Sequence, residues 1–209
     1  MKIAICIPTI GTIPTHFFLS VTSLIQRLEV DADILSVVFI SEGKPIETAR
    51  NNLVKEALKQ NPDYILFLDP DHSFYHDIVH KLLAHKKDIV SALTFKKVQP
   101  FSPCAYIKSE GTHCKPIRDW QDNELLEVDA IGMGCCLIKT QVFKDISEEG
   151  PWFNFWVEQG KIEKSEDLAF CWVAQQKGYK IYVDTALEAR HIGGVGIGSE
   201  QFKAWRDKK

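Results

Sequence analysis

Apolar and polar positions alternate along the chain in blocks that predict a strand, then a helix, then the same pair again. Lys2 to Ile7 is an almost unbroken apolar run, the pattern of a strand buried on both faces. Phe17, Phe18, Val21, Leu24, Ile25 and Leu28 follow at spacings that line one face of a helix. Ile34 to Ile40 repeats the strand signal, Ser41-Glu42-Gly43-Lys44-Pro45 supplies a turn, and Ile46, Ala49, Leu53, Ala57 and Leu58 mark a second amphipathic helix. Tyr64 to Leu68 gives a third strand, Ile78, Val79, Leu82 and Leu83 its helix, and Asp88 to Phe95 a fourth strand. The alternation predicts an α/β fold with a Rossmann-like, mostly parallel central sheet flanked by helices. In such sheets ligands gather at the carboxyl ends of the strands, where Pro8-Thr9, Glu42 and Asp69 to Asp71 fall.

The second half reads differently. Lys96 to Asn123 is rich in Pro, Ser, Cys and charge without a clear period, which predicts loops and short irregular strands. Glu124 to Ile131 and Cys135 to Lys139 read as short strands joined by Gly132-Met133-Gly134, small residues required either by a ligand close to the backbone or by packing. Ser165 is a suitable N-cap for a helix through Lys177, with Glu166 and Asp167 at its positive end, Leu168, Cys171 and Trp172 on its inner face, and Gly178 closing it. Tyr179 to Val183 returns as a strand. With 209 residues, 45% of them apolar, the chain is expected to form one compact domain over 1–209.

Charge narrows the partners. The 25 Lys and Arg against 28 Asp and Glu leave a formal net charge of -3, so no global positive field attracts nucleic acid. The apolar start ends at Pro8, too short for a secretory core, and no stretch reaches membrane-spanning length. Six cysteines, at 6, 104, 114, 135, 136 and 171, show no C-x-x-C spacing. Reduced thiols in a cytoplasmic protein are the expectation.

Asp69-Pro70-Asp71 is the best clue to chemistry. It follows the apolar run of the third strand, and proline fixes its own φ while biasing Asp69 away from helical geometry. An extended tripeptide would project residues 69 and 71 to one side, able to share a ligand. Paired carboxylates in that position suit Mg²⁺ or Mn²⁺ with a substrate phosphate completing the coordination. The competing reading is a solvated acidic turn ahead of the next helix.

Ile7-Pro8-Thr9, Ala49-Arg50-Asn51, Leu68-Asp69-Pro70-Asp71, Gly132-Met133-Gly134 and Ser165-Glu166-Asp167-Leu168-Ala169-Phe170 occur in the order seen in GT-A glycosyltransferases, and the chain resembles the family 2-like members. The resemblance runs from the first strand to at least His191. It implies a nucleotide-sugar-binding half over 1–95 and an acceptor-binding half over 96–209. It implies a metal-dependent transferase that moves a sugar from a nucleotide-sugar donor, a UDP-sugar first, to a hydroxyl of a glycan, lipid, protein or modified nucleic acid. It implies that Pro8, Thr9, Glu42 and Arg50 line the nucleotide pocket, Asp69 lies near the ribose, Asp71 holds the metal, and Asp167, with Glu166 beside it, accepts the acceptor proton with inversion at the sugar. Relatives often carry an Asp-Asp-Gly-Ser turn after strand two, where this chain has Ser41-Glu42-Gly43. His191 resembles the C-terminal histidine that serves as a further metal ligand in several such enzymes, and the glycines at 193, 194, 196 and 198 suggest a closing lid.

Several of these residues carry a second reading. Arg50 is either a phosphate or base contact or a solvated arginine near a helix start; the acidic pair at 166 and 167 also complements a helix dipole. Trp152, Phe153, Phe155 and Trp156 form either an acceptor platform or ordinary core. His76-Asp77-Ile78-Val79-His80 superficially matches the H-E-x-x-H zinc motif, which makes a zinc metallohydrolase the rival enzyme class. A shell that binds nucleotide or glycan without transfer is the non-catalytic alternative.

Overall fold

A computed structural model describes residues 1–109, 113–158, 161–193 and 197–208. The first half runs β1 (Lys2–Thr9), α1 (Thr15–Glu29), β2 (Leu35–Glu42), α2 (Ile46–Leu58), β3 (Tyr64–Leu68), β4 (His72–Ser73), α3 (Ile78–Ala84) and β5 (Ile89–Leu93). The second continues with β6 (Ala105–Lys108), β7 (Cys114–Pro116), β8 (Leu125–Val128), β9 (Ala130–Ile131), β10 (Cys135–Lys139), α4 (Thr140–Ile146), β11 (Trp156–Glu158) and β12 (Lys161–Lys164). It ends with α5 (Glu166–Gln176), β13 (Ile181–Glu188), β14 (Arg190–His191) and α6 (Ser199–Arg206).

Seven strands form the central sheet in the order β2-β1-β3-β10-β5-β13-β8. Strands β2, β1, β3, β5 and β13 share one direction, and β10 and β8 oppose them. The mostly parallel α/β sheet expected from the sequence is present. Its unbroken apolar runs follow from burial on both faces. Along β1, Ala4 and Cys6 pack on one side with Leu53, Val54, Phe143 and Phe170, while Ile3, Ile5 and Ile7 pack on the other with Phe17, Leu24, Val79 and Leu82. The two-residue side-chain period of a strand thus feeds two cores, one under α2, α4 and α5 and one under α1 and α3. Each fully buried Leu, Ile or Phe contributes about 2 kcal/mol.

Local departures have local causes. Phe18 is 60% exposed, because Phe17, Val21, Leu24 and Leu28 define the buried stripe of α1 and Phe18 stands off it. The expected strand over 124–131 splits at Asp129, whose N–H donates to the Tyr106 carbonyl and whose carboxylate accepts from the Lys108 N–H. The split sends β9 into a separate sheet, β7-β6-β9, which supplies the short irregular strands expected beyond Lys96.

Because β10 runs against its neighbours, its start, preceded by Gly132-Met133-Gly134, lies beside the end of β3, with Cys135 opposite Leu68. The ends of β1, β2, β3, β5 and β13 reach the same edge of the sheet. All six cysteines are free thiols. Among the described residues no helix is long and apolar enough to cross a membrane.

Candidate metal and transfer site

The turn after β3 is the first surprise. The His72 N–H donates to the Asp69 carbonyl at 3.1 Å, so residues 69–72 close a β-turn with Pro70 at its second position, where proline's fixed φ is favoured. The tripeptide is therefore not extended, and its two acids separate. Asp69 turns to Arg50, which donates through Nη2 at 3.1 and 3.0 Å. Asp71 faces His191, His72 and Lys97.

Asp71, His72 and His191 each offer one ligand atom, all within 4.8 Å of one another; among the described residues no other group of three or more His, Cys, Asp or Glu is so arranged. Asp69, expected as a second ligand, lies outside this group. His72 joins it instead. Two short strands bring the histidines together: β14 pairs antiparallel with β4, His191 opposite His72, and their rings stack with centroids 4.0 Å apart.

The donor set fits a divalent cation. His72 is 3% exposed and both its ring nitrogens lack a hydrogen bond; Nδ1 lies 2.9 Å from Oδ1 of Asp71 but out of alignment for one. A buried imidazole without partners is costly. His191 Nδ1 meets the Phe95 carbonyl, which can only accept, so Nδ1 carries the hydrogen. Its Nε2, 3.2 Å from Oδ2 of Asp71, faces that carboxylate either as an imidazolium N–H or as a lone pair across a cation. Metal-binding histidines are commonly oriented by this kind of N–H to a carbonyl. Two imidazoles with one carboxylate suit Mn²⁺ better than Mg²⁺, which prefers oxygen. Burial pushes the Asp71 carboxyl up, but the neighbouring His191, His72 and Lys97 outweigh it and hold the group well below the usual carboxylate range.

A second cluster adjoins the first. Arg50 on α2 is 3% exposed; its Nη1 donates to Glu166 at the start of α5, and its guanidinium sits 5.9 Å from the Phe153 ring centroid. The guanidinium is buried rather than solvated and is shared by two carboxylates. Burial works against its charge, yet Asp69, Glu166 and Asp167 together raise its pKa. Burial in turn raises Glu166, although Arg50 opposes the shift. Glu166 is thus directed inward, whereas Asp167 is half-buried and accepts from the Ser165 hydroxyl and, at 2.8 Å, from the Leu168 N–H. Ser165 stands at the N-cap as expected but makes no side-chain cap hydrogen bond.

Gly132 and Gly134 join the two clusters. A Cβ built on Gly134 would come within 2.8 Å of the His72 ring, and one on Gly132 would lie 3.1 Å from the Cys104 side chain and 3.8 Å from Oδ2 of Asp167. The Asp69 N–H donates to the Gly134 carbonyl at 3.0 Å. Packing between the two clusters therefore accounts for these glycines. At the far end of the edge, Thr9 is paired in register with Glu42, Pro8 precedes it in β1, and the Gly11 N–H donates to the Thr9 hydroxyl at 3.1 Å. A Cβ on Gly11, at φ +114°, would meet Glu42 at 2.9 Å.

Other sequence candidates resolve into structure. Trp152 and Phe153 are buried, held by Asn51, which accepts from both their N–H groups at 2.7 and 2.9 Å, and Phe153 stacks on Phe170. Trp156 is half-buried, edge-on to Trp172. His76 lies in a turn before α3 begins at Ile78, so His76 and His80 are not a helical pair; His80 lies 3.3 Å from Asp31. Residues 194–196 of the glycine run expected as a lid lie outside the described residues. His72 and Lys97 were not legible as site residues, although His72 directly follows the acidic tripeptide.

No protein-family model and no curated protein matches the chain. Solved structures do. The crystal structure of A197 from STIV is similar at a TM-score of 0.62 and 20% identity, over 96% of this chain and 92% of that one. The crystal structure of GalNAc-T7 with UDP, GalNAc and Mn²⁺ is similar at a TM-score of 0.63 and 12% identity, over 99% of this chain and 47% of that one, so this chain spans about half of that structure. At these identities the likeness establishes the fold alone, the α/β arrangement around a mostly parallel, Rossmann-like sheet that the strand and helix pattern predicts.

Proposed function

We propose that the chain is a metal-dependent glycosyltransferase that moves a sugar from a nucleotide-sugar donor, a UDP-sugar first, to an acceptor hydroxyl. The observation that carries the reading is the Asp71–His72–His191 ligand group beside the Asp69–Arg50–Glu166 network at the carboxyl edge of the sheet. The fold supports it, since GalNAc-T7, solved with UDP, GalNAc and Mn²⁺, shares that fold.

On this reading Asp71, His72 and His191 hold Mn²⁺, which when bound offsets the charge that develops on a departing diphosphate. Pro8, Thr9 and Glu42 line the nucleotide pocket in the 1–95 half, and residues 96–209 receive the acceptor. Arg50 fixes Asp69, near the ribose, and holds Glu166 so that the first turn of α5 stays in place. Asp167, the more exposed of the acidic pair, takes the acceptor proton. A helix N-terminus favours its charged form, so this base acts through position more than through strength. An aspartate base at residue 167 predicts inversion at the sugar.

A panel of nucleotide sugars incubated with the protein and Mn²⁺ tests this. Slow nucleotide release is expected with one donor and is lost in Asp71→Asn. The absence of release with every donor would sink the transferase reading.

A further inference from the structure

The β6–β7 strands, the loop at 100–103 and α6 border an open-sided cavity of about 920 Å³, within the roughly 300–1,000 Å³ range of small-molecule sites. Ile107, Ile117, Leu126, Phe202 and Trp205 give it an apolar lining. Three cations, Lys115, Arg118 and Arg206, border it against one carboxylate, Asp119. Arg206 donates to Asp119 at 3.2 Å. Lys115 and Arg118 are exposed, and among the described residues neither has an ion-pair partner. A bare sugar would leave the apolar wall of Ile107, Leu126 and Phe202 uncovered and the two cations without a counter-charge. An apolar interior with unpaired cations at its border complements a different molecule.

One segment forms a wall of both this cavity and the transfer site. Pro100, Ser102 and Pro103 line the cavity. On the same segment Lys97 meets Asp71 at 2.5 Å, the Phe95 carbonyl meets His191, and Cys104 packs beside Gly132, next to Asp167.

We propose that this cavity is the acceptor site and that the acceptor is an anionic amphiphile, its apolar chain against Ile107, Leu126 and Phe202 and its acidic group at Lys115 and Arg118. The acceptor role rests on the transferase reading; the binding does not. In the transfer the anomeric carbon–oxygen bond to the diphosphate breaks and its electron pair leaves with the nucleotide. The amphiphile's hydroxyl oxygen forms the new bond, and its proton passes to Asp167.

Calorimetric titration of the full chain with octyl phosphate, kept below its aggregation concentration, tests the binding. Saturable binding of one molecule per chain is expected, with octyl glucoside, the same chain on a neutral head, at least tenfold weaker. Lys115→Glu with Arg118→Glu, both at exposed positions, should lower octyl phosphate affinity tenfold or more while leaving the thermal midpoint unchanged. Ile107→Asp, at the apolar wall, should do the same by removing the seat of the chain. No saturable heat, equal affinity for the two probes, or an unaltered affinity in the charge-reversed variant overturns the proposal. Donor cleavage without amphiphile binding overturns the cavity assignment alone. Amphiphile binding without donor cleavage leaves the site standing and removes its acceptor role together with the transferase reading.

Discussion

Gly134 stands against the face of His72 so closely that a Cβ there would lie 2.8 Å from the ring. The contact sets the position of a histidine that the sequence offers no separate signal for, and it joins the start of β10 to the candidate metal ligands. Gly134→Ala must displace either the imidazole or the backbone of β10, whose neighbours β3 and β5 are buried at every position but Tyr64. The expected cost is about 1–3 kcal/mol, read as a lower denaturation midpoint, with a weaker response to Mn²⁺. A variant with the parent's stability and metal response would mean that the ring does not depend on this packing.

Removal of His72 itself separates metal binding from folding. A ligand that binds the native state raises stability by about 2.7 kcal/mol at a hundredfold excess over its dissociation constant. Thermal unfolding with and without Mn²⁺ should show such a shift in the parent and in His76→Ala, whose histidine lies outside the ligand group, and almost none in His72→Ala. A shift that survives His72→Ala but disappears in His76→Ala would instead revive the zinc-motif reading of residues 76–80.

Lys97 occupies Asp71 in competition with any cation. Its Nζ is 2.5 Å from Oδ2, and the two side chains are 45% and 36% exposed, so the pair is screened. Such pairs contribute at most about 1 kcal/mol. Lys97→Ala should therefore tighten Mn²⁺ binding by about fivefold or less, with the gain fading as salt rises. Calorimetric titration at two ionic strengths checks it; weaker metal binding in the variant would show that the lysine supports the site rather than competes for it.

How much of this was readable in the chain follows from what each pattern encodes. The two-sided apolar runs of β1 and β3 specify buried strands, and the β-α alternation specifies their common direction, so the sheet and the edge bearing Thr9, Glu42 and Asp69 were legible. Insertion of β10 between β3 and β5, against their direction, was not, because a five-residue apolar segment carries no information about its neighbours. The roles within Asp69-Pro70-Asp71 depended on whether Pro70 extends the chain or opens a turn, and both satisfy its φ. The pairing of β4 with β14, two residues each, rests on contacts between positions more than a hundred apart, which no local period records. That pairing is what makes His72 a partner of His191.

Arg50 offers the test of the second cluster. It is buried between Asp69 and Glu166, and Glu166 is itself buried, so Arg50→Met leaves a carboxylate in a poorly solvated place without its counter-charge. Loss of one partner from such an arrangement costs about 3–5 kcal/mol; the partial exposure of Asp69 argues for the lower end. Glu166→Gln added to Arg50→Met should restore part of that loss, because the amide needs no counter-charge, and urea unfolding of the single and double variants measures the coupling. The sign of the pH dependence follows from burial. Glu166 is already raised in the parent despite Arg50, and without the guanidinium its folded-state pKa rises further above the unfolded value. Stability tied to the protonated acid is present below the unfolded pKa and is lost as pH rises through the folded one. The deficit of Arg50→Met should consequently shrink at mildly acidic pH, and a deficit that grows on acidification would place the buried charge elsewhere.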